Sequence, residues 1–69
     1  MDVRTNLGIT YHDLGRYDDA VNEFRTVTML NPGDFGVHFN MANSLFDGGK
    51  LEEAIEQFRE SRILNSEVR

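Results

Sequence analysis

Apolar residues along this chain recur at helical spacing in four blocks, separated by short polar or glycine-containing stretches. Val3, Leu7, Tyr11 and Leu14 fall three or four residues apart and share one face of a helix. Tyr17, Ala20, Val21, Phe24, Val27 and Leu30 form a second stripe. Val37, Met41, Ala42 and Leu45 form a third, and Leu51, Ala54, Ile55, Phe58 and Leu64 a fourth. No stretch alternates with period two, so no strand is expected. The pattern predicts an all-α chain of four helices with a packing face on each.

The boundaries carry their own signals. The first block stops at Gly15, a residue suited to a left-handed C-terminal cap, and the third ends at Gly48-Gly49. Asp18-Asp19 and Glu52-Glu53 stand in the first turns of the second and fourth helices, where the helix dipole favours negative charge. Asn31-Pro32-Gly33 breaks the chain between the second and third helices, since proline biases Asn31 toward extended geometry and glycine permits a turn. Asp34 follows as a candidate N-cap. Connections this short force consecutive helices to be antiparallel neighbours.

The blocks also repeat. Shifted by 34 residues, Val3 falls on Val37, Asn6 on Asn40, Asp13 on Asp47, Gly15 on Gly49, Ala20 on Ala54 and Phe24 on Phe58. Conservative pairs such as Arg16/Lys50, Asp18/Glu52, Asp19/Glu53 and Val21/Ile55 fill the gaps. A fixed period of this length means a repeat array, in which each unit buries its apolar side on the next. Two tandem helix-turn-helix units are expected, residues 1–34 and 35–69, in one continuous array.

The first unit carries Leu7, Gly8, Tyr11, Ala20, Phe24 and Pro32 in order, and the second carries Met41, Ala42, Leu45, Ala54 and Phe58. This pattern resembles the tetratricopeptide repeat, and the likeness covers essentially the whole chain. It implies a fragment of an α-solenoid. Small Gly8 and Ala42 allow close approach within a hairpin, Ala20 and Ala54 do so where neighbouring helices cross, and Phe24 and Phe58 fill space between hairpins. The chain departs from the pattern where Arg4 and His38 replace the opening aromatic and Ser66 replaces the second closing proline. The first change predicts looser packing within each hairpin, the second either that the array runs out at the end of the second repeat or that this repeat is atypical.

Composition narrows the function. Twelve acidic residues against seven basic ones give a formal net charge of −5, which disfavours a nucleic-acid partner. No apolar run approaches the ~20 residues of a membrane helix, so no membrane insertion is expected. The chain has no cysteine and no signal-peptide pattern, features that favour a cytoplasmic setting. No constellation suggests catalysis or a cofactor. His12 and His38 lie on different helices with no partner at ligand spacing beside either, so no metal site is expected. Gly48-Gly49-Lys50 follows a helix rather than a strand and lacks the spacing of a phosphate loop. Glu56 and Arg59 are a candidate surface pair.

The resemblance implies a non-catalytic interaction module, since the first helix of each repeat lines a groove for an extended peptide or a partner helix. Carried over, the groove takes Asp2, Thr5, Asn6, Ile9, His12 and Asp13 from the first helix. The third supplies Gly36, Phe39, Asn40, Asn43, Phe46 and Asp47. The lysines and arginines with which some relatives clamp a carboxylate tail are missing. Spacing adds that Phe39, Asn43 and Phe46 share a stripe offset from the Val37/Met41/Leu45 face; the alternative is that these aromatics pack on Ile9 or His12 of the neighbouring unit. Side-chain amides both donate and accept, which suits a peptide backbone. Asn6 and Asn40 recur at the period and so are equally readable as structural; Asn43 faces Ile9 in the alignment and is the stronger functional candidate. A groove with Asp2, Asp13 and Asp47 favours basic or apolar segments of a protein partner. A second reading is self-association, as a homo-oligomer or within a longer array. Ala54, Ile55, Phe58 and Leu64 cannot all be covered by the third helix, and Ser61 and Arg62 only partly make that surface polar.

Overall fold

The computed structural model describes the backbone of residues 3–67 and the side chains of residues 3–63. The order is α1 (Val3–Asp13), α2 (Tyr17–Leu30), α3 (Phe35–Asp47) and α4 (Leu51–Glu67), with no strand among the described residues. Consecutive helices pack as antiparallel neighbours, and α1 meets α3 along a short stretch. The chain is therefore two helical hairpins, α1/α2 and α3/α4, laid side by side through α2 and α3.

Local chemistry sets both hairpin turns in the same way. Gly15 adopts φ +80° and Gly49 φ +88°, the left-handed conformation that a side chain would strain. After α1, Gly15 N–H donates to His12 O at 2.9 Å and Arg16 N–H to Tyr11 O at 2.8 Å. After α3, Gly49 N–H donates to Phe46 O at 3.0 Å and Lys50 N–H to Leu45 O at 2.8 Å. These paired bonds satisfy carbonyls that the helix end leaves open, in the Schellman arrangement. Between the hairpins, Asp34 Oδ1 accepts from Gly36 N at 3.1 Å and Val37 N at 3.3 Å, capping α3 as expected.

One core forms at the α2/α3 junction. Val21, Phe24 and Val27 of α2 meet Val37, Met41 and Leu45 of α3, with Ala20 and Ala54 sealed beneath. Ile9, Tyr11 and Phe58 lean on this cluster from the flanking helices. A Cβ on Gly8 would lie 2.6 Å from Phe24 Cε1, so only glycine lets α1 approach that ring.

The packing faces of the outer helices differ from the apolar stripes. In α1 the buried residues are Thr5 and Gly8, while Val3, Leu7 and Leu14 are exposed. Leu30 of α2 is exposed too. The stripe of α1 corresponds, 34 residues earlier, to the face that α3 turns to α2. In α1 only Tyr11 of that stripe reaches the core, and Val3, Leu7 and Leu14 stay exposed. Thr5 and Gly8 are buried because they lie on the side toward α2. At the position where the repeat pattern expects an aromatic, His38 is held by polar contacts. His38 Nε2–H donates to the Pro32 carbonyl at 3.1 Å, and Nδ1 lies 2.9 Å from the Gln57 side-chain amide. Hydrogen bonds thus replace ring packing at that position, and Arg4 also has an interaction partner.

Candidate functional site

Where α1 and α3 run side by side, a cleft of about 230 Å³ opens to solvent. Ile9, His12 and Asp13 of α1 line one wall, Asn40 and Asn43 of α3 the other, and Phe24 forms the floor. Its volume lies below the roughly 300–1,000 Å³ usual for small-molecule sites, so it suits a side chain or a segment of backbone. The recurrent turn chemistry positions these walls. Each left-handed glycine ends the first helix of its hairpin at the same point of the repeat.

Of the residues assigned to the groove from sequence, Ile9, His12, Asn40 and Asn43 line this cleft. Asn6 is exposed on α1 but does not line the cleft. Phe39, still 40% exposed, turns to α4 and meets Phe58 with ring centroids 5.7 Å apart and planes at 59°. That contact explains much of Phe39 within its own hairpin, rather than against Ile9 or His12. Phe46 is 57% exposed. Thr5 is buried, and with Gly36 it borders a separate depression by the α2–α3 turn instead of the cleft. Asp2 and the side chain of Leu64 lie outside the described residues. On the far side of the molecule, Ala54 belongs to the sealed core, Ile55 is exposed and Phe58 is half-buried.

Sequence reasoning missed the partners of His12. Asp47 can only accept, so His12 Nε2–H donates to its Oδ2, at 3.0 Å. Nδ1 lies 2.7 Å from Ser44 Oγ, within hydrogen-bond distance. Tyr17 packs edge-on to the imidazole, with centroids 5.2 Å apart. The residue types are those of a Ser–His–Asp relay, but Ser44 is fully buried, unlike a nucleophile that must meet a substrate. The three side chains act as a polar clasp joining the first hairpin to the second. Two signals pointed to it. Ser44 interrupts an otherwise apolar α3 stripe, and His12 stands at the position that Phe46 fills one period later.

Among the described residues, no three His, Asp or Glu side chains converge as a metal site would need, and no helix is long and apolar enough to cross a membrane. Further ion pairs stand on the surface: Arg16–Asp19 at 2.8 Å, Lys50–Asp18 at 3.4 Å and Arg25–Glu53 at 4.0 Å. The last two tie the second hairpin to α2.

Comparison with known proteins agrees with this architecture. The family model described as tetratricopeptide repeat matches residues 2–62. A curated TPR repeat-containing protein of Methanocaldococcus jannaschii is 35% identical over 60 residues, covering 86% of this chain and 11% of the relative. The chain thus spans about a ninth of the length of that relative.

Proposed function

The chain belongs to the tetratricopeptide repeat family, and from that premise we propose that it is a scaffold or adaptor receiving a peptide or a partner helix in the α1/α3 cleft. Repeats of this family are generally non-catalytic protein–protein interaction modules, so a protein partner is the coarse conclusion. Within it, we read residues 1–34 and 35–69 as the two repeat units. The observation that carries the reading is the solvent-open cleft, where Asn40 and Asn43 face Ile9 and His12.

The chemistry of the cleft selects the partner. Asn43 offers donor and acceptor to an extended backbone, Ile9 and Phe24 offer apolar surface, and Asp13 gives the rim negative charge. No lysine or arginine is among the lining residues. Segments mixing Lys or Arg with apolar residues fit, and acidic tails are repelled. Two repeats make a small site, so a single short peptide binds at about micromolar affinity or weaker, because association first costs several kcal/mol. A peptide array read at two salt concentrations tests this. Basic–apolar peptides should bind, lose signal at high salt and lose it with Asn43→Ala. A preference for acidic C-terminal peptides, or indifference to Asn43→Ala, would refute the assignment.

A second reading, self-association, is favoured by a separate observation. Apolar side chains are exposed on both outer helices, Val3, Leu7 and Leu14 on α1 and Leu51, Ile55 and Ile63 on α4.

A further inference from the structure

The internal junction between the hairpins supplies a template for what the outer faces accept. At that junction α2 presents Val21 and Phe24, α3 presents Val37, Met41 and Leu45, and all five are buried. One period along, α4 presents Ile55 and Phe58; one period back, α1 presents Val3 and Leu7, while Tyr11, the counterpart of Leu45, already leans on the chain's own core. The apolar halves of the template are therefore both present, on opposite flanks of one molecule.

The charges match in the same register. Internally, Asp18 of α2 pairs with Lys50 of the second hairpin turn, and Arg25 of α2 pairs with Glu53 of α4. Moving each pair one period forward replaces Asp18 by Glu52 and Arg25 by Arg59. Their partners become the residues equivalent to Lys50 and Glu53 in a following first hairpin, which are Arg16 and Asp19. Both pairs keep their signs, Glu52 with Arg16 and Arg59 with Asp19. A slip of one helical turn or a face-to-face dimer loses this match.

We propose that the α4 face takes the α1/α2 hairpin of a second copy of this chain, head to tail, with Glu52–Arg16 and Arg59–Asp19 pairs fixing the register. This deepens the self-association reading and rests on it; the α1/α3 cleft is a separate surface. The contact is heterologous, so copies add in an open series or a ring rather than closing as a two-fold dimer. Affinity comes from the apolar faces, because exposed ion pairs are individually weak and act mainly on register. The junction is weaker than its template at two places. Ser61 stands where Val27 does, and Phe46 stands where His12 makes its clasp to Ser44 and Asp47.

Sedimentation velocity on the full chain tests the register through charge exchange. One variant carries Glu52→Arg and Arg59→Glu, the other Arg16→Glu and Asp19→Arg. The second keeps the internal 16–19 pair with reversed sign, and helicity by circular dichroism checks that both fold. If the first does not fold, Arg59→Glu alone replaces it. Wild type should grow beyond dimer as concentration rises, and each variant alone should associate about tenfold more weakly or worse. An equimolar mixture should recover wild-type growth, since every tail then meets a head of matching sign. A strict monomer at high micromolar concentration would overturn both the proposal and the self-association reading. Association that stops at dimer, ignores the substitutions or is not recovered on mixing would overturn the proposal alone.

Discussion

The two hairpins hold identical or similar residues at many equivalent positions, yet several similar pairs meet opposite fates. Val21 is 5% exposed and its counterpart Ile55 is 57% exposed; Met41 is 3% exposed and its counterpart Leu7 is 40% exposed. The contacts inside each hairpin do not differ in this way, for Ala20 and Ala54 are both fully buried. What differs is the neighbour. α2 and α3 are flanked on both sides by helices, whereas α1 and α4 are each covered on one. In a repeat array, stability is close to a sum of unit terms and nearest-neighbour terms, and here one neighbour term is filled while its copies at the flanks stay open. Burying a single Val, Leu or Ile is worth roughly 1.5–3 kcal/mol, so the open faces withhold a large part of what the sequence could supply.

The largest test of that asymmetry is the aromatic pair. Phe24 is buried against Gly8, whereas Phe58 is half-buried on Phe39. Phe24→Ala should cost about 3–5 kcal/mol, enough to leave a domain this small largely unfolded. Phe58→Ala should cost roughly half as much, because part of its ring already meets water. Denaturant titration measures both, and equal losses would break the comparison by showing that something covers α4.

Gly8 sharpens it. Ala42, its equivalent, carries a Cβ without difficulty, but a Cβ on Gly8 would sit 2.6 Å from the Phe24 ring. Gly8→Leu should therefore destabilise by about 1–3 kcal/mol or more through overpacking, with Gly8→Ala milder. A midpoint unchanged by Gly8→Ala would mean that the α1–α2 approach is looser than described.

The clasp between the hairpins should show a smaller, conditional effect. His12→Phe installs the residue that stands at Phe46 one period later and leaves the buried Ser44 hydroxyl without His12. That should cost about 1–3 kcal/mol, the usual penalty for an unpaired buried polar group. Adding Ser44→Ala should recover part of the loss. Strict additivity of the two substitutions would show that no coupling runs through the hydrogen bond.

Local rules made much of the fold legible. The four helices, the left-handed glycine turns and the Asp34 cap each depend on residues within one turn of the chain. The stripe of α1 was legible as a face, but periodicity cannot say what lies against it, and Val3, Leu7 and Leu14 are exposed as a result. The same gap affected the site. Ile9, Asn40 and Asn43 come together because the repeat register places α1 beside α3. Phe39 was drawn to Phe58, and His12 to Ser44 across 32 residues, by side-chain contacts that no spacing rule within one helix contains.

Amide hydrogen exchange at a concentration where the chain is monomeric tests the central claim most directly. If burial is set by neighbours, α2 and α3 should exchange slowest and open together, while α1 and α4 exchange faster by local opening. Protection that follows hairpin membership instead, with α1 matching α2 and α4 matching α3 but the two hairpins differing, would contradict it.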